Sequence, residues 1–233
     1  MDQQWADAIF LHWRIPENVA ARFMPPGVQP DLFDGSSWVG LIGFRMENAG
    51  IGRGPGIPYL GSFNEVNVRL YSREPDGTRG VVFLSLDADR LPVVVAARAA
   101  GIPYVWSRIR YSQMRPPGNE AFGFSVRRFR QGARSSFAVE PRSGAAVDDP
   151  LSIFLTARFG MHGAFRRRSI YIPNTHEPWP LRRASLHHVQ DELIASAGIG
   201  VSGPPESVLF SPGVRTQFGR PRLMGSPRHP AVA

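Results

Sequence analysis

In residues 63–71, FNEVNVRLY, Glu65, Asn67 and Arg69 alternate with Val66, Val68 and Leu70. Alternate side chains of a strand point to opposite faces. A carboxylate, an amide and a guanidinium therefore share one face with Tyr71, and aliphatic groups share the other. Such a set can exchange a proton, hydrogen-bond a carbonyl oxygen and clamp a carboxylate. Spacing alone leaves two readings open. Facing water, this is an ordinary amphipathic strand; lining a cavity, the three groups converge where buried Glu and Arg are rare unless paired.

Other residues offer chemistry with less pattern behind them. His176 precedes Glu177-Pro178-Trp179-Pro180, a stiff extended segment suited to presenting an aromatic wall. His176 suits a general base near neutral pH, or simply a partner for backbone carbonyls. His12, beside Trp13 in an apolar stretch, carries the same two readings. Arg98 either clamps a ligand carboxylate or is held by Glu65 or Asp87. Metal binding has only weak support: His187 and His188 are adjacent, and on the helix expected there they diverge by about 100°. No Gly-x-Ser-x-Gly elbow marks a serine hydrolase. The glycine- and proline-rich residues 48–61 lack the Lys-Ser/Thr of a phosphate loop, and read as a loop that closes over a cavity. No cofactor is called for.

The elements that must position these groups are mostly short strands. Strands are expected at 8–15, 30–33, 37–46, 63–72, 80–87, 105–114, 121–131, 133–141, 165–172 and 208–210. Asp34-Gly35 and Pro75-Asp76-Gly77 mark turns. Helices are expected from Pro16 to Phe23, from Pro92 to Ala100 closed by Gly101, from Pro150 to Phe159 capped by Asp149, and from Ser185 to Ala197 closed by Gly198. Among 233 residues, 42% are hydrophobic, enough apolar material for a core. Cysteine is absent, which removes disulfides and thiolate chemistry and favours a cytoplasmic location. The N-terminus has no basic region before an apolar run, so no secretory signal is expected, and no run approaches a membrane span. All 27 basic residues are arginine, against 19 acidic ones, for a net charge of +8. Short clusters (Arg127, Arg128 and Arg130; 166–168; Arg182 and Arg183) make an arginine-rich nucleic-acid binder the alternative function, although none lies in a recognised nucleic-acid-binding motif.

Longer strings decide which reading is carried forward. Gly80 to Asp87, then Pro92 to Arg98, then Gly101-Ile102-Pro103-Tyr104-Val105 resemble the central segment of acetoacetate decarboxylase: a strand ending in aspartate, a proline-started helix with an arginine, and the turn bearing the reactive lysine pair. The chain is more closely similar to the uncharacterised bacterial YqjF-like branch of that superfamily. Leu11-His12-Trp13-Arg14, Trp38 to Leu41, Phe44-Arg45-Met46, Asn64 to Arg69, His176 to Leu181 and Phe210 to Val214 carry this likeness. The resemblance implies an α+β, mainly β fold, a closed or nearly closed antiparallel β-barrel with peripheral helices. Residues 1–222 would form one domain and 223–233 a loose tail. It also puts Glu65 across from the reactive-lysine position, and Tyr104 and Val105 where the lysines would stand. With no lysine anywhere, a lysine Schiff base is excluded, and only the α-amino group of Met1 remains as a primary amine. The expected partner is a small carbonyl or carboxylate compound, with no membrane and, on analogy alone, a homodimer. Glu65 would shuttle a proton in a lyase, isomerase or hydratase reaction. Tyr104 would stabilise an oxyanion, Asn67, Arg69, Arg98 and His12 would supply polar contacts, and Trp106 and Trp179 the walls.

Overall fold

The computed structural model describes residues 2–50, 60–114, 120–130, 132–144, 146–165 and 168–224. In chain order it contains β1 (Asp2–Ile15), α1 (Glu17–Ala21), β2 (Gln29–Pro30), β3 (Ser37–Gly50), β4 (Phe63–Arg73), β5 (Arg79–Ala88), α2 (Leu91–Ala99), β6 (Tyr104–Met114), β7 (Ala121–Arg128) and β8 (Arg134–Pro141). There follow α3 (Pro150–Thr156), β9 (Gly160–Phe165), β10 (Arg168–His176), β11 (Arg182–Asp191), α4 (Leu193–Ser196), β12 (Ser207–Phe218) and β13 (Arg222–Leu223). No helix is long and apolar enough to cross a membrane among these residues. The loop expected to close over a cavity falls largely on residues 51–59, outside those described, as does the sequence from 225 onward.

Strand pairing closes the sheet on itself. β5, β6, β7, β8, β11, β12, β1, β3 and β4 follow one another, and β4 returns to β5, so nine strands complete a barrel. Pairing is antiparallel except around β5, which runs parallel to β6 and β9. The sheet also branches. From β5 it continues to β9 and β10, and β10 rejoins β12, so a second, smaller circuit shares β12, β1, β3, β4 and β5 with the barrel.

The shared strands are therefore covered on both faces, and their sequences alternate accordingly. Ile9, Leu11, Val39, Leu41, Val66, Val68 and Leu70 point into the nine-stranded barrel, where they pack against Phe122, Phe124, Phe137 and Phe210. Burial of these side chains supplies the main stabilisation, at roughly 25 cal/mol per Å² of apolar surface. The other face of the same strands turns into the second circuit. Packing between the sheets is close enough to require glycine at position 43: a Cβ there would stand 2.7 Å from Phe124 Cδ2 and 2.9 Å from Phe137 Cζ. Gly43→Ala is accordingly expected to destabilise the fold by about 1–3 kcal/mol through overpacking. An unchanged thermal midpoint would show that the two rings can move aside.

Most sequence-predicted elements recur with longer strands. Asp149 caps α3 as expected, its Oδ1 accepting from the Ser152 amide at 3.1 Å. Asp34 and Gly35 take φ of 55° and 72°, as a primed turn requires. The expected helix over 185–197 is a correction. Residues 184–191 pair with Ser135–Pro141 of β8 as a strand, with a bulge between Leu186 and His188, and only the single turn of α4 is helical. Helix-compatible residues such as Leu186 and Gln190 gave way to the ladder that closes the barrel. His187 and His188 consequently sit on a strand, bound separately to Glu140 and Ser136. The expected strand over 165–172 is two strands, β9 and β10, paired with each other.

Candidate functional site

The second circuit encloses a cavity of about 400 Å³. Its walls come from the outward face of β1, β3, β4 and β5, from β9, β10 and α2, and from the chain that leaves α3. Most of the lining is apolar, with Phe10, Phe44, Phe63, Phe83, Met161 and Trp179 prominent. Polar groups are few, and they gather at two ends.

At one end stands Glu65. Its residue is only 2% exposed. Oε2 accepts from the Tyr104 hydroxyl at 2.7 Å, and Oε1 from Asn67 Nδ2 at 3.2 Å. Burial raises its pKa from the ordinary 4.5 to about 7; the two hydrogen bonds oppose this, and the nearby Asp87 carboxylate adds to it. Tyr104, enclosed against the same carboxylate, is held well above the ordinary phenol range by burial and by Glu65. The buried Oδ1 of Asn67 has no partner among the described residues.

At the other end stand two arginines. Arg69 Nε donates to Tyr71 Oη at 3.3 Å and Nη2 to the Leu155 carbonyl at 3.1 Å. Arg158, 4% exposed, donates from Nε to the Phe154 carbonyl at 2.7 Å and from Nη1 to Asp31. Its Nη2 is buried and has no partner among the described residues. The Asn174 side-chain oxygen, also on the cavity wall, is likewise unpartnered. Both guanidinium groups lie against the Tyr71 ring, Arg69 at 5.5 Å and Arg158 at 5.0 Å from its centroid.

Of the nine residues singled out in the sequence, the structure gathers Glu65, Asn67, Arg69, Tyr104, His176 and Trp179 around this cavity. His176 faces backbone at both ring nitrogens, with Nδ1 at 2.7 Å from the Glu177 carbonyl and Nε2 at 3.4 Å from that of Arg158. It stacks on Phe159 and approaches Trp179 at 5.5 Å. His12 lies one ring behind the wall, its Nε2 2.6 Å from Tyr71 Oη. Burial, with Arg69 adding to it, holds the His12 pKa well below the ordinary value, so the ring is neutral. Arg98 is exposed on α2 and, among the described residues, reaches the Tyr104 carbonyl, at 3.5 Å, rather than Glu65 or Asp87. Trp106 is 40% exposed and packs on Phe129, 4.1 Å between centroids. It shares a face with Tyr104, but the second circuit covers β5 and not β6, so only the first residue of β6 reaches the cavity.

Sequence reading missed Trp5, Arg158 and Asn174. Trp5 was out of reach of period two: strict alternation back from Ile9 puts it on the barrel side, and the bulge between Ala6 and Ile9, with Asp7 at φ 50°, turns it to Phe44, where the rings are 5.2 Å apart. Arg158 sits in irregular chain after α3, where no periodicity points. The arginine clusters divide on inspection. Arg128 is buried against Asp87, Arg183 pairs with Asp149, and Arg127, Arg130 and Arg182 are exposed. Residues 166 and 167 lie outside the described part. Among the described residues, no three His, Asp or Glu side chains gather as a metal-binding group.

Comparison with known proteins places this geometry. Residues 2–215 match the profile of the family DUF2071, described as an uncharacterized conserved protein. The uncharacterized protein YqjF of Bacillus subtilis (strain 168) is 31% identical over 210 residues, covering 89% of this chain and 84% of that protein. Among solved structures, the enduracididine biosynthesis enzyme MppR, complexed with the condensation product of pyruvate and imidazole 4-carboxaldehyde, superposes with a TM-score of 0.66 at 15% identity, covering 95% of this chain and 88% of its own. An acetoacetate-decarboxylase-like enzyme from Sphingomonas wittichii RW1 gives 0.64 at 13% identity, covering 96% and 92%. At those identities the likeness is one of fold, and the nine-stranded barrel is common to it.

Proposed function

The chain belongs to the DUF2071 family, whose description assigns no activity, and from that premise we propose that it binds a small carbonyl or carboxylate compound in the cavity and exchanges a proton with it through Glu65, without a covalent intermediate. One observation carries this reading: a single carboxyl, buried among apolar walls and held by Tyr104 and Asn67, has its pKa raised to about 7. A group so poised takes and returns protons near neutral pH, which is what general acid–base catalysis requires. The absence of lysine removes a lysine Schiff base, and lyase, isomerase or hydratase chemistry through Glu65 needs none.

In this reading Glu65 as carboxylate takes a proton from carbon α to the ligand carbonyl. Tyr104 steadies the carboxylate and then offers its proton to the developing enolate oxygen, and the Asn67 amide adds a further polar contact. Arg69 holds a ligand carboxylate. Trp179 and His176 form the aromatic wall, His176 serving there because its ring nitrogens face backbone. The small carbonyl-derived ligand named for the MppR structure supports the ligand class. The lack of cysteine supports a cytoplasmic location.

A thermal-shift screen of keto acids, hydroxy acids, enoates and aldehydes supplies the ligand, since one present at 100 times its dissociation constant stabilises by about 2.7 kcal/mol. Proton exchange is then followed by NMR in D2O. Glu65→Gln is expected to lose about 10²–10⁴-fold in exchange rate while retaining binding. Tyr104→Phe removes a hydrogen bond that lowers the Glu65 pKa, so its rate profile should move to higher pH. Undiminished exchange in Glu65→Gln would overturn the assignment. Binding with no exchange in the unaltered protein would leave a binding module.

A further inference from the structure

We propose that the ligand is two-ended and apolar between its ends: an anionic group held by Arg69 and Arg158, and a hydrogen-bonding oxygen at Glu65 and Tyr104, joined by a hydrocarbon spacer. The inference rests on the reading that this cavity is the ligand site, and it specifies the substrate class.

Charge makes the first argument. Buried charges are paired almost without exception, because an uncompensated ion loses its hydration for nothing. Here two buried guanidinium groups share one wall, and Asp31, which pairs with Arg158, is also bound by Arg79. Arg69 bonds only neutral oxygens, the Tyr71 hydroxyl and the Leu155 carbonyl. Among the described residues, this end of the cavity therefore sets Asp31 against Arg158 and Arg79 and has no carboxylate on Arg69. The unpartnered Nη2 of Arg158 shows where a hydrogen-bond acceptor is missing, and arginine's planar fork matches a carboxylate.

Distance makes the second. Glu65 and Arg69 lie on one face of β4, and four residues of extended strand separate their Cα atoms by about 13 Å. Glu65 is tied to Asn67 and Tyr104, whereas Arg69 leans the other way, toward Tyr71. Phe10 lies beside Arg69, 5.8 Å from its guanidinium carbon, and Ile42 and Phe44 are opposite Asn67 and Glu65 across the β3–β4 ladder. Between the two ends β4 contributes only the Asn67 amide, which is held by Glu65, and the facing side chains of β3 are apolar. A keto acid as short as pyruvate reaches one end or the other, not both.

Isothermal titration of the full chain tests this with oxo-carboxylates in which methylenes separate ketone from carboxylate: pyruvate, levulinate and longer homologues, beside methyl ketones of matching length. Each added methylene is expected to tighten binding about fourfold until both ends are reached, after which affinity falls. Arg69→Met should then weaken the best acid at least tenfold and leave its matching ketone unchanged. If that variant does not fold, Arg69→Lys, which keeps the charge but loses the fork, should weaken the same acid. Equal affinity for acids of every length, or preference for the neutral ketones, overturns the two-ended ligand while leaving the cavity as the binding site. Binding of neither series overturns both readings.

Discussion

Glu65→Gln is expected to melt higher than the unaltered protein at pH 8 and level with it near pH 4. The reason is linkage. In the unfolded chain this carboxyl titrates at its ordinary 4.5; in the folded protein burial has moved it to about 7. Between those values the folded state holds a proton that the unfolded state has released, so stability falls as pH rises through the window and the full penalty is present above it. A shift of that size corresponds to about 3 kcal/mol. Glutamine occupies the same volume, can still accept from Tyr104, and carries no charge to desolvate. For a chain of this length about 3 kcal/mol moves the midpoint by roughly 6–12 °C. Asp191, His12 and His162, also buried with shifted pKa values, titrate in both proteins, so the difference between the two melting curves isolates position 65. A difference that does not vary with pH would mean that the carboxylate is solvated in the fold. A protein that retains a destabilising acid where a neutral amide fits is accepting lower stability, as functional sites commonly do.

The strand bearing that acid was legible in the sequence because its alternation is local. Val66, Val68 and Leu70 face the barrel and Glu65, Asn67 and Arg69 the cavity, as period two requires. What period two cannot give is which of two closed spaces each face meets. The sheet branches at β5, and that branch is fixed by pairing with β9, about eighty residues later in the chain. Trp106 and Tyr104 show the consequence: one face, one strand, yet only Tyr104 lies under the second circuit. The error over 185–197 has the same origin, since those residues form a strand only because β8 needs a neighbour. Arg158 was invisible for a different reason. It is placed by its hydrogen bond to Asp31, and long-range ion pairs leave no local trace.

Arg128→Met is expected to cost about 3–5 kcal/mol, because it strands a buried carboxylate. Arg128 grips Asp87 with two bonds of 2.8 Å, from Nε and Nη2, while Asp87 is wholly buried. The same guanidinium reaches Ser85 on β5 and Ser196 on α4, and Asp87 takes a further bond of 2.6 Å from Ser107 on β6. One ion pair thus joins β5, β6, β7 and α4 where the barrel closes through its short parallel pairing of Leu86–Ala88 with β6. Denaturant unfolding should show the loss. Replacing both partners, as Asp87→Leu with Arg128→Met, should recover much of it, since the apolar pair has no charge to desolvate. If the double variant is no better than the single one, the bonds to Ser85, Ser107 and Ser196 account for the cost rather than the charge. The single variant has a second consequence, at the cavity. Asp87 already raises the Glu65 pKa through its charge. Removing the arginine that neutralises Asp87 strengthens that repulsion, so the pH dependence of any Glu65-dependent exchange should shift upward in Arg128→Met. Asp87→Leu with Arg128→Met should shift it downward, because the repelling charge is gone. Opposite displacements from two variants that never touch the cavity would tie the proton chemistry to Glu65 through its electrostatics alone.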